Sequence, residues 1–336
     1  MQLRFSFIIP VYNRPDETKE LLQSFEDLNT NTPFEIVIVE DGSEITSEAV
    51  VAEFKEKLEI SYYFKDNSGP GDSRNFGMRK AKGNYFIILD SDCILPPQYL
   101  NEVEKGLNEN YVDCFGGPDA AHNSFTNLQK AINFSMTSFI TTGGIRGNKK
   151  RIDKFQPRSF NMGISKAAFE ASGGFGYIHP GEDPDLSIRL WNLGYKTTLI
   201  PEAFVYHKRR ISWSKFYKQV NKFGMVRPIL NNWHPSTKKI TYWFPTVFTL
   251  GFMCSLLLLL VQEKTLFLLY VFYFFIAFVS ALISTRQIIV SILSVVAICI
   301  QFFGYGYGFL KSTWAIEVLM KNPESHFPNL FFKPTC

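Results

Sequence analysis

The hydrophobic rhythm of the chain changes about two thirds of the way along. In the first part, short apolar runs alternate with longer polar stretches. Phe5-Ser-Phe-Ile-Ile-Pro-Val, Phe34-Glu-Ile-Val-Ile-Val, Ile60 to Phe64 and Tyr85-Phe-Ile-Ile-Leu each read as a buried strand. The stretches that follow them predict helices over about 15–28, 47–57, 71–81 and 97–107. Strands and helices alternating at this length imply βαβ units, hence an α/β domain with a mostly parallel sheet covered by helices on both faces. Ligands of such sheets bind beyond the carboxyl ends of the strands, so the residues that end each run are the first candidates for chemistry.

The last third behaves differently. From Thr241 to Leu310 the only formal charges are Glu263, Lys264 and Arg286. Three spans, at about 242–261, 266–284 and 288–310, each approach the length that crosses a hydrocarbon core. The links Gln262-Glu-Lys and Thr285-Arg-Gln are short enough for tight antiparallel hairpins. Gly304, Gly306 and Gly308 are expected on one side of the third span, where they would allow close helix approach. Ahead of the spans, Trp213, Phe216, Tyr217, Val220 and Phe223-Gly224 recur at helical spacing with lysines between them. This suits a basic amphipathic helix in the membrane interface, or a helix that closes the soluble domain. The resulting division is a domain over about 1–210, a basic linker over 211–240, an α-helical transmembrane segment over 241–310 and a tail over 311–336. Lys238 and Lys239 place the flank of the first span inside. Three crossings would then leave Lys311, Lys321 and Lys333 outside, which fits the positive-inside rule poorly.

Composition sharpens this picture. Phenylalanine accounts for 33 of the 336 residues, concentrated in and near the apolar third, as expected of chain that faces lipid. The net charge is only +4, but no acidic residue lies between Glu202 and Glu263, where Lys208, Arg209, Arg210, Lys215, Lys218 and Lys222 are found. A basic stretch can serve nucleic acid, an anionic membrane or phosphorylated ligands. Because this one runs into an apolar span, a membrane is expected and nucleic acid is not. The five cysteines are scattered and lack metal spacing, so they read as reduced thiols. Met1-Gln-Leu-Arg leads straight into a strand without a signal-peptide pattern, which predicts a cytosolic N-terminal domain on a multi-pass inner-membrane protein.

Several polar motifs stand at the strand ends. Asp90-Ser-Asp92 follows the fourth strand, and two such carboxylates suit a hard divalent cation bridging to a diphosphate. Glu40-Asp41-Gly-Ser ends the second strand, either as a nucleoside contact or as a turn. Gly69-Pro-Gly-Asp-Ser-Arg-Asn-Phe-Gly sets glycines at a helix mouth, where backbone N–H groups and Arg74 would face a phosphate or a base. It lacks the Gly-Lys-Ser/Thr ending of a P-loop, which argues against ATPase chemistry. Gly181-Glu-Asp-Pro-Asp starts a helix with three carboxylates, more than capping requires, and one of them could be a general base.

Taken in order, Ile9-Pro-Val-Tyr-Asn-Arg14, Val39-Glu-Asp-Gly-Ser43, Gly71-Asp-Ser-Arg-Asn75, Asp90-Ser-Asp92, Phe160-Asn-Met-Gly-Ile164, Gly173-Gly-Phe175 and Gly181-Glu-Asp183 resemble the family 2 glycosyltransferases of the GT-A fold. The resemblance implies a Rossmann-like nucleotide-sugar domain. Pro10, Tyr12 and Asp41 would line the nucleoside pocket, with Arg74 near the base or diphosphate. Asp90 and Asp92 would hold Mg2+ or Mn2+, and His207 would be a metal or phosphate contact or a plain surface residue. Asp183, beside Glu182, would be the base in an inverting transfer. A UDP-sugar is the commonest donor by family analogy, and the membrane segment suggests a lipid-linked glycan or other hydroxyl acceptor in cell-surface polysaccharide or glycolipid synthesis. Glu40 stands where the family often has a first Asp. The Gln-x-x-Arg-Trp of processive synthases is replaced by Gln219-Val-Asn-Lys-Phe223, which suggests single additions. The alternatives are a nucleotidyltransferase, whose Gly/Arg/Lys-rich signature is missing near the first strand, and a non-catalytic membrane protein.

Overall fold

A computed structural model describes residues 2–120, 125–143, 155–207 and 212–332. Lys208, Arg209, Arg210 and Lys333 of the basic segments, and Cys336, lie outside the described residues. The chain forms two compact units. One comprises Met1–His122, Lys149–Lys208 and Phe331–Cys336, the other Asn123–Asn148 and Arg209–Leu330. Two segments thus fall differently from the division drawn on sequence. Asn123–Asn148 groups with the apolar helices, and the segment that begins at Phe331 groups with the first unit.

The first unit opens with β1 (Phe5–Val11), α1 (Pro15–Glu26), β2 (Phe34–Asp41), α2 (Glu48–Phe54), β3 (Ile60–Lys65), α3 (Pro70–Lys80) and β4 (Tyr85–Leu89). These four strands run parallel in the order β3-β2-β1-β4, with Ile8 opposite Val37 and Ile88. After β5 (Cys93–Ile94), α4 (Tyr99–Glu109), β6 (Cys114–Gly116) and β7 (Asp119–Ala120) comes the second unit's pair α5 (Asn127–Thr137) and α6 (Phe139–Thr142). The first unit resumes with β8 (Asn161–Ser165), α7 (Lys166–Ser172), α8 (Glu182–Asn192), β9 (Thr197–Leu199) and β10 (Val205–His207). Strand β8 inserts antiparallel between β4 and β6, and β9 closes the seven-stranded sheet beside β6. The short strands β5, β10 and β7 form a separate three-stranded sheet.

Alternation along β1 divides the core. Phe5, Phe7 and Ile9 face α1 and α4 through Leu21, Phe25, Tyr99 and Val103. Ile8 faces α3 and α8 with Val37, Ile88, Met78 and Leu186. All are essentially buried, as expected when a parallel sheet is covered on both faces. At Gly77 an added Cβ would stand 2.6 Å from Ile8 Cγ2, so helix α3 sits directly on the sheet and fixes its N-terminus over the strand ends. The end of the chain also belongs here. Ile178 bridges Phe331, Phe332 N donates to the Tyr177 carbonyl at 2.9 Å, and the Phe332 ring covers Gly69 at the mouth of α3.

In the second unit α9 (Trp213–Trp233) is followed by α10 (Phe244–Leu260), α11 (Thr265–Thr285) and α12 (Ile288–Thr313), which continues as a π-helix over Trp314–Val318. The last three are long and apolar enough to cross a membrane. Helix α9 starts where Ser212 accepts from Lys215 N, a regular N-cap. Its apolar positions Phe216 and Val220 are buried, against α5 and α12, so that stripe faces protein. The three glycines of α12 do not share one side. Residues two apart on an α-helix point about 200° apart, so Gly304 and Gly308 meet Val220 and Asn221 of α9 while Gly306 meets Pro245 and Thr249 of α10. Asn221 Nδ2 donates to the Gly304 carbonyl at 3.0 Å, and Thr246 Oγ1 to that of Gly306 at 3.0 Å.

An added Cβ at Gly308 would press on the Asn221 carbonyl, which is backbone and cannot rotate away. Gly308→Leu is therefore expected to destabilise the protein by about 1–3 kcal/mol, the usual range for overpacking. Thermal unfolding in detergent measures this as a lowered Tm.

Candidate functional site

Three parallel strands deliver their polar ends to one edge of the sheet. At the end of β1, Tyr12 is exposed and Asn13 adopts a positive φ of 53°. This turns its side chain onto the next loop, where Asn13 Oδ1 accepts from Glu44 N at 2.9 Å and Ile45 N at 3.0 Å. Pro10 precedes that turn, half-buried.

At the end of β2 the two acids are spent on the protein itself. Glu40 is fully buried and accepts from Ser47 N at 2.9 Å, Tyr62 Oη at 3.1 Å and the Ser43 hydroxyl. Asp41 accepts from Lys65 Nζ at 2.6 Å, Ser68 N at 3.0 Å and Gly69 N at 2.9 Å. The Asp41 carboxylate therefore organises the loop leading to α3, and Lys65, which sequence reasoning did not single out, neutralises it. Motif position alone could not show this, because Lys65 reaches Asp41 through the register of β3 on β2.

The centre of the site is Arg74. Its side chain is 4% exposed, and it donates to Asp90 Oδ1 at 2.8 Å and to Glu182 Oε1 at 3.2 Å, with its guanidinium 5.3 Å from the Phe175 ring centre. Residues from α3, the end of β4 and the start of α8 thus meet on one cation. Burial alone would lower the pKa of Arg74, but Asp90, Glu182 and Asp183 outweigh it and hold the group charged. Asn75 fixes α3 to the same neighbourhood, donating to the Phe175 carbonyl at 2.9 Å and accepting from Phe175 N at 2.8 Å.

The carboxylates of α8 divide by environment. Burial pushes Glu182 up, but His179, 2.9 Å away, and Arg74 bring it below the usual carboxylate range. Asp183 has neither partner in hydrogen-bond contact. Burial and the adjacent charge of Glu182 push it up to about 6, and its Oδ1 is buried without a hydrogen bond. Asp185 belongs elsewhere. It pairs with Arg189 at 2.8 Å, and Arg189 donates to the carbonyls of Ser172 at 2.5 Å and Gly174 at 2.6 Å, bracing the glycine turn after α7.

Asp92 faces a second group. Arg14 donates to its Oδ2 at 2.9 Å, and His207 Nε2 lies 3.1 Å from Oδ1. The pairing of β10 with β5 places His207 opposite Cys93, and the imidazole stacks on Phe160 with centres 4.7 Å apart. Asp92, Cys93 and His207 each present a ligand atom within 4.8 Å of the others. Burial, with Asp92 and Asp90, pushes the Cys93 thiol well above its ordinary value. The donor set is then a carboxylate and an imidazole, oxygen and nitrogen ligands of the kind Mn2+ accepts, and the residues fit such an ion. Arg14 and Cys93 carried no assigned role on sequence. Arg14 was visible only as part of its motif, and Cys93 reads as a small hydrophobe.

Comparison with known proteins bears on the family and the fold. The family model described as glycosyl transferase family 2 matches residues 6–173, half of the chain. An uncharacterized glycosyltransferase of Rickettsia bellii is 35% identical over 107 residues, 32% of this chain and 15% of that protein. The poly(ribitol-phosphate) beta-N-acetylglucosaminyltransferase TarS of Staphylococcus aureus is 30% identical over 114 residues, 33% of this chain and 20% of that protein. The matched stretch therefore spans a minor part of both relatives. Among solved structures, a mannosyltransferase from Pyrobaculum calidifontis in complex with GDP-Man and Mn2+ superposes with a TM-score of 0.52 at 16% identity, covering 67% of this chain and 63% of that one. It supports the fold.

Among the described residues, Arg74 alone is ion-paired with both Asp90 and Glu182. Arg74→Met should leave Glu182 buried beside His179 alone and cost about 3–5 kcal/mol, the usual penalty for breaking a buried pair. Chemical denaturation compared with wild type checks this, and Arg74→Lys should recover only part, since an ammonium lacks the planar fork that holds two carboxylates.

Proposed function

From the premise that the chain belongs to glycosyl transferase family 2, we propose that it transfers a sugar from a nucleoside-diphosphate sugar to a hydroxyl acceptor, with inversion and with Asp183 as general base. That it is a glycosyltransferase follows from the family. The observation that carries the finer reading is the split between Glu182 and Asp183. Two adjacent carboxyls in one buried site are driven apart, one held ionised by His179 and Arg74, the other pushed up to about 6. A base near neutrality that lacks a hydrogen bond on one buried oxygen suits abstraction of a hydroxyl proton.

In this reading Asp183 takes the proton of the acceptor hydroxyl as its oxygen bonds to the anomeric carbon. The bond from that carbon to the diphosphate breaks, and the nucleoside diphosphate leaves with the electron pair. Arg74, fixed by Asp90 and Glu182, supplies a permanent positive charge beside the departing phosphates. Asp92, with His207 and Asp90, would hold Mg2+ or Mn2+, which supplies further charge neutralisation on the diphosphate when bound. Arg14, paired with Asp92 at 2.9 Å, orients it. Pro10, Tyr12 and Asp41 would line the nucleoside pocket, Asp41 by shaping the loop over Ser68 and Gly69. The donor is a UDP-sugar by family analogy. The acceptor is a lipid-linked glycan or another hydroxyl of a cell-surface polysaccharide or glycolipid. The apolar helices would hold the enzyme at the inner membrane with its catalytic unit in the cytosol.

Asp183→Asn should lower transfer by at least a hundredfold while Mn2+-dependent binding of the donor, followed by calorimetry across a panel of nucleotide sugars, stays within a few-fold of wild type. Retained turnover would remove Asp183 from the mechanism. Because the base must be ionised, the wild-type rate should fall about tenfold per pH unit below about 6.

A further inference from the structure

Chain connectivity limits how the three apolar helices can use a membrane. The chain leaves the first unit after β10 and re-enters it at Phe331. There Phe331 bridges Ile178, and Phe332 takes the Tyr177 carbonyl and covers Gly69. A chain that leaves a folded unit on one face of a bilayer and returns to the same unit crosses an even number of times. Three crossings are therefore inconsistent with the paired tail.

Contacts inside the second unit agree. Lys238, ahead of α10, pairs with Glu317, beyond α12, at 2.8 Å. The Trp243 and Phe309 rings are 5.0 Å apart, and Thr249 Oγ1 donates to the Phe302 carbonyl at 3.2 Å. The start of α10 thus lies beside the end of α12. In an up-down-up bundle it would lie beside the start of α12 instead.

Burial sets α12 apart from the other two helices. The far end of α10 and the near half of α11 expose most of their apolar side chains, with Leu257 66%, Leu260 80%, Val261 72% and Phe272 61% exposed. This projecting hairpin ends in the polar link Gln262-Glu-Lys, and each arm, counted from Ile240 and from Thr265, holds 21 residues. At 1.5 Å per residue each arm is about 31 Å long, matching a hydrocarbon core of about 30 Å. Helix α12 is different. Its inner face is covered over Ala297 to Gly308 by α5 and α9, and α9 bears Lys215, Lys218 and Lys222, which are unsuited to hydrocarbon depth. Its outer face keeps an apolar stripe at helical spacing, including Ile289, Ile292, Val296, Tyr307, Leu310 and Trp314.

We propose that α10 and α11 alone span the bilayer as a hairpin, and that α12 lies in the plane of the leaflet on the catalytic side with its outer stripe against acyl chains. Lys238, Lys239, Arg286, Lys311 and Lys321 then share the catalytic face, while the opposite face receives the self-neutralising pair Glu263 and Lys264. This satisfies the positive-inside rule, which three crossings violate. The assignment holds whichever sugar or acceptor the enzyme uses.

Single cysteines placed at Lys264, Arg286 and Lys321 in a full-length chain whose native cysteines are serine, with Asn108→Cys marking the catalytic face, test it in sealed vesicles of both orientations. A membrane-impermeant maleimide should label Arg286→Cys and Lys321→Cys from the same face as Asn108→Cys, and Lys264→Cys only from the other. Labelling of Lys321→Cys from the opposite face would establish an odd number of crossings and overturn the assignment. Labelling of Lys264→Cys from the catalytic face would overturn the hairpin. Should the serine background fail to insert, protease access to a C-terminal epitope on the otherwise native chain decides the side of the tail, which should be the catalytic one.

Discussion

A guanidinium buried between two carboxylates is costly unless each group is matched, and Arg74 is placed so that it is. It reaches Asp90 from the end of β4 and Glu182 from the start of α8, while Asn75 beside it locks α3 to Phe175. Three segments far apart in sequence therefore share one electrostatic account, and none can shift without exposing a buried charge. The arrangement also sets the acidity of its surroundings. By holding Glu182 ionised, Arg74 and His179 leave a negative charge beside Asp183, and that charge with burial raises the neighbouring carboxyl. The same cation that stabilises the fold thus helps divide two adjacent acids into a fixed anion and a carboxyl of raised pKa.

Much of this was legible in the sequence. The alternation of apolar runs gave β1 to β4 and their helices to within a few residues at each end, because a parallel sheet buried on both faces leaves an unmistakable hydrophobic signal. The carboxylates at strand ends, Asp41, Asp90 and Asp92, were visible for the same reason, since a charge that closes a buried strand needs a partner or a ligand. What stayed hidden depended on register between distant segments. His207 is a candidate metal contact on sequence, but its meeting with Asp92 runs through a three-residue strand whose pairing with Cys93-Ile94 has no periodic signature. Lys65 and Arg14 are ordinary surface cations until the fold carries them to Asp41 and Asp92. Asp185 is one of the three carboxylates that open α8, and its pairing with Arg189 depends on the fold around the glycine turn.

The membrane part shows the limit of composition. Length and apolarity mark three helices, and they do so correctly, but they describe each helix in isolation. Whether a helix crosses depends on what covers it and where its ends are tied. The glycines of α12 illustrate the point, because their alternate spacing looked like one smooth side and instead opens two, one for α9 and one for α10. A tail that returns to the first unit and covers Gly69 likewise has no signature in composition.

The division of the two acids is the feature on which the proposed chemistry rests, and the titration of Asp183 measures it directly. Infrared difference spectra of the wild-type enzyme against Asp183→Asn, recorded over pH, isolate that carboxyl. A band titrating near 6 that moves lower in Glu182→Gln is the expected result. A carboxyl already ionised at pH 4 and indifferent to Glu182 would contradict it.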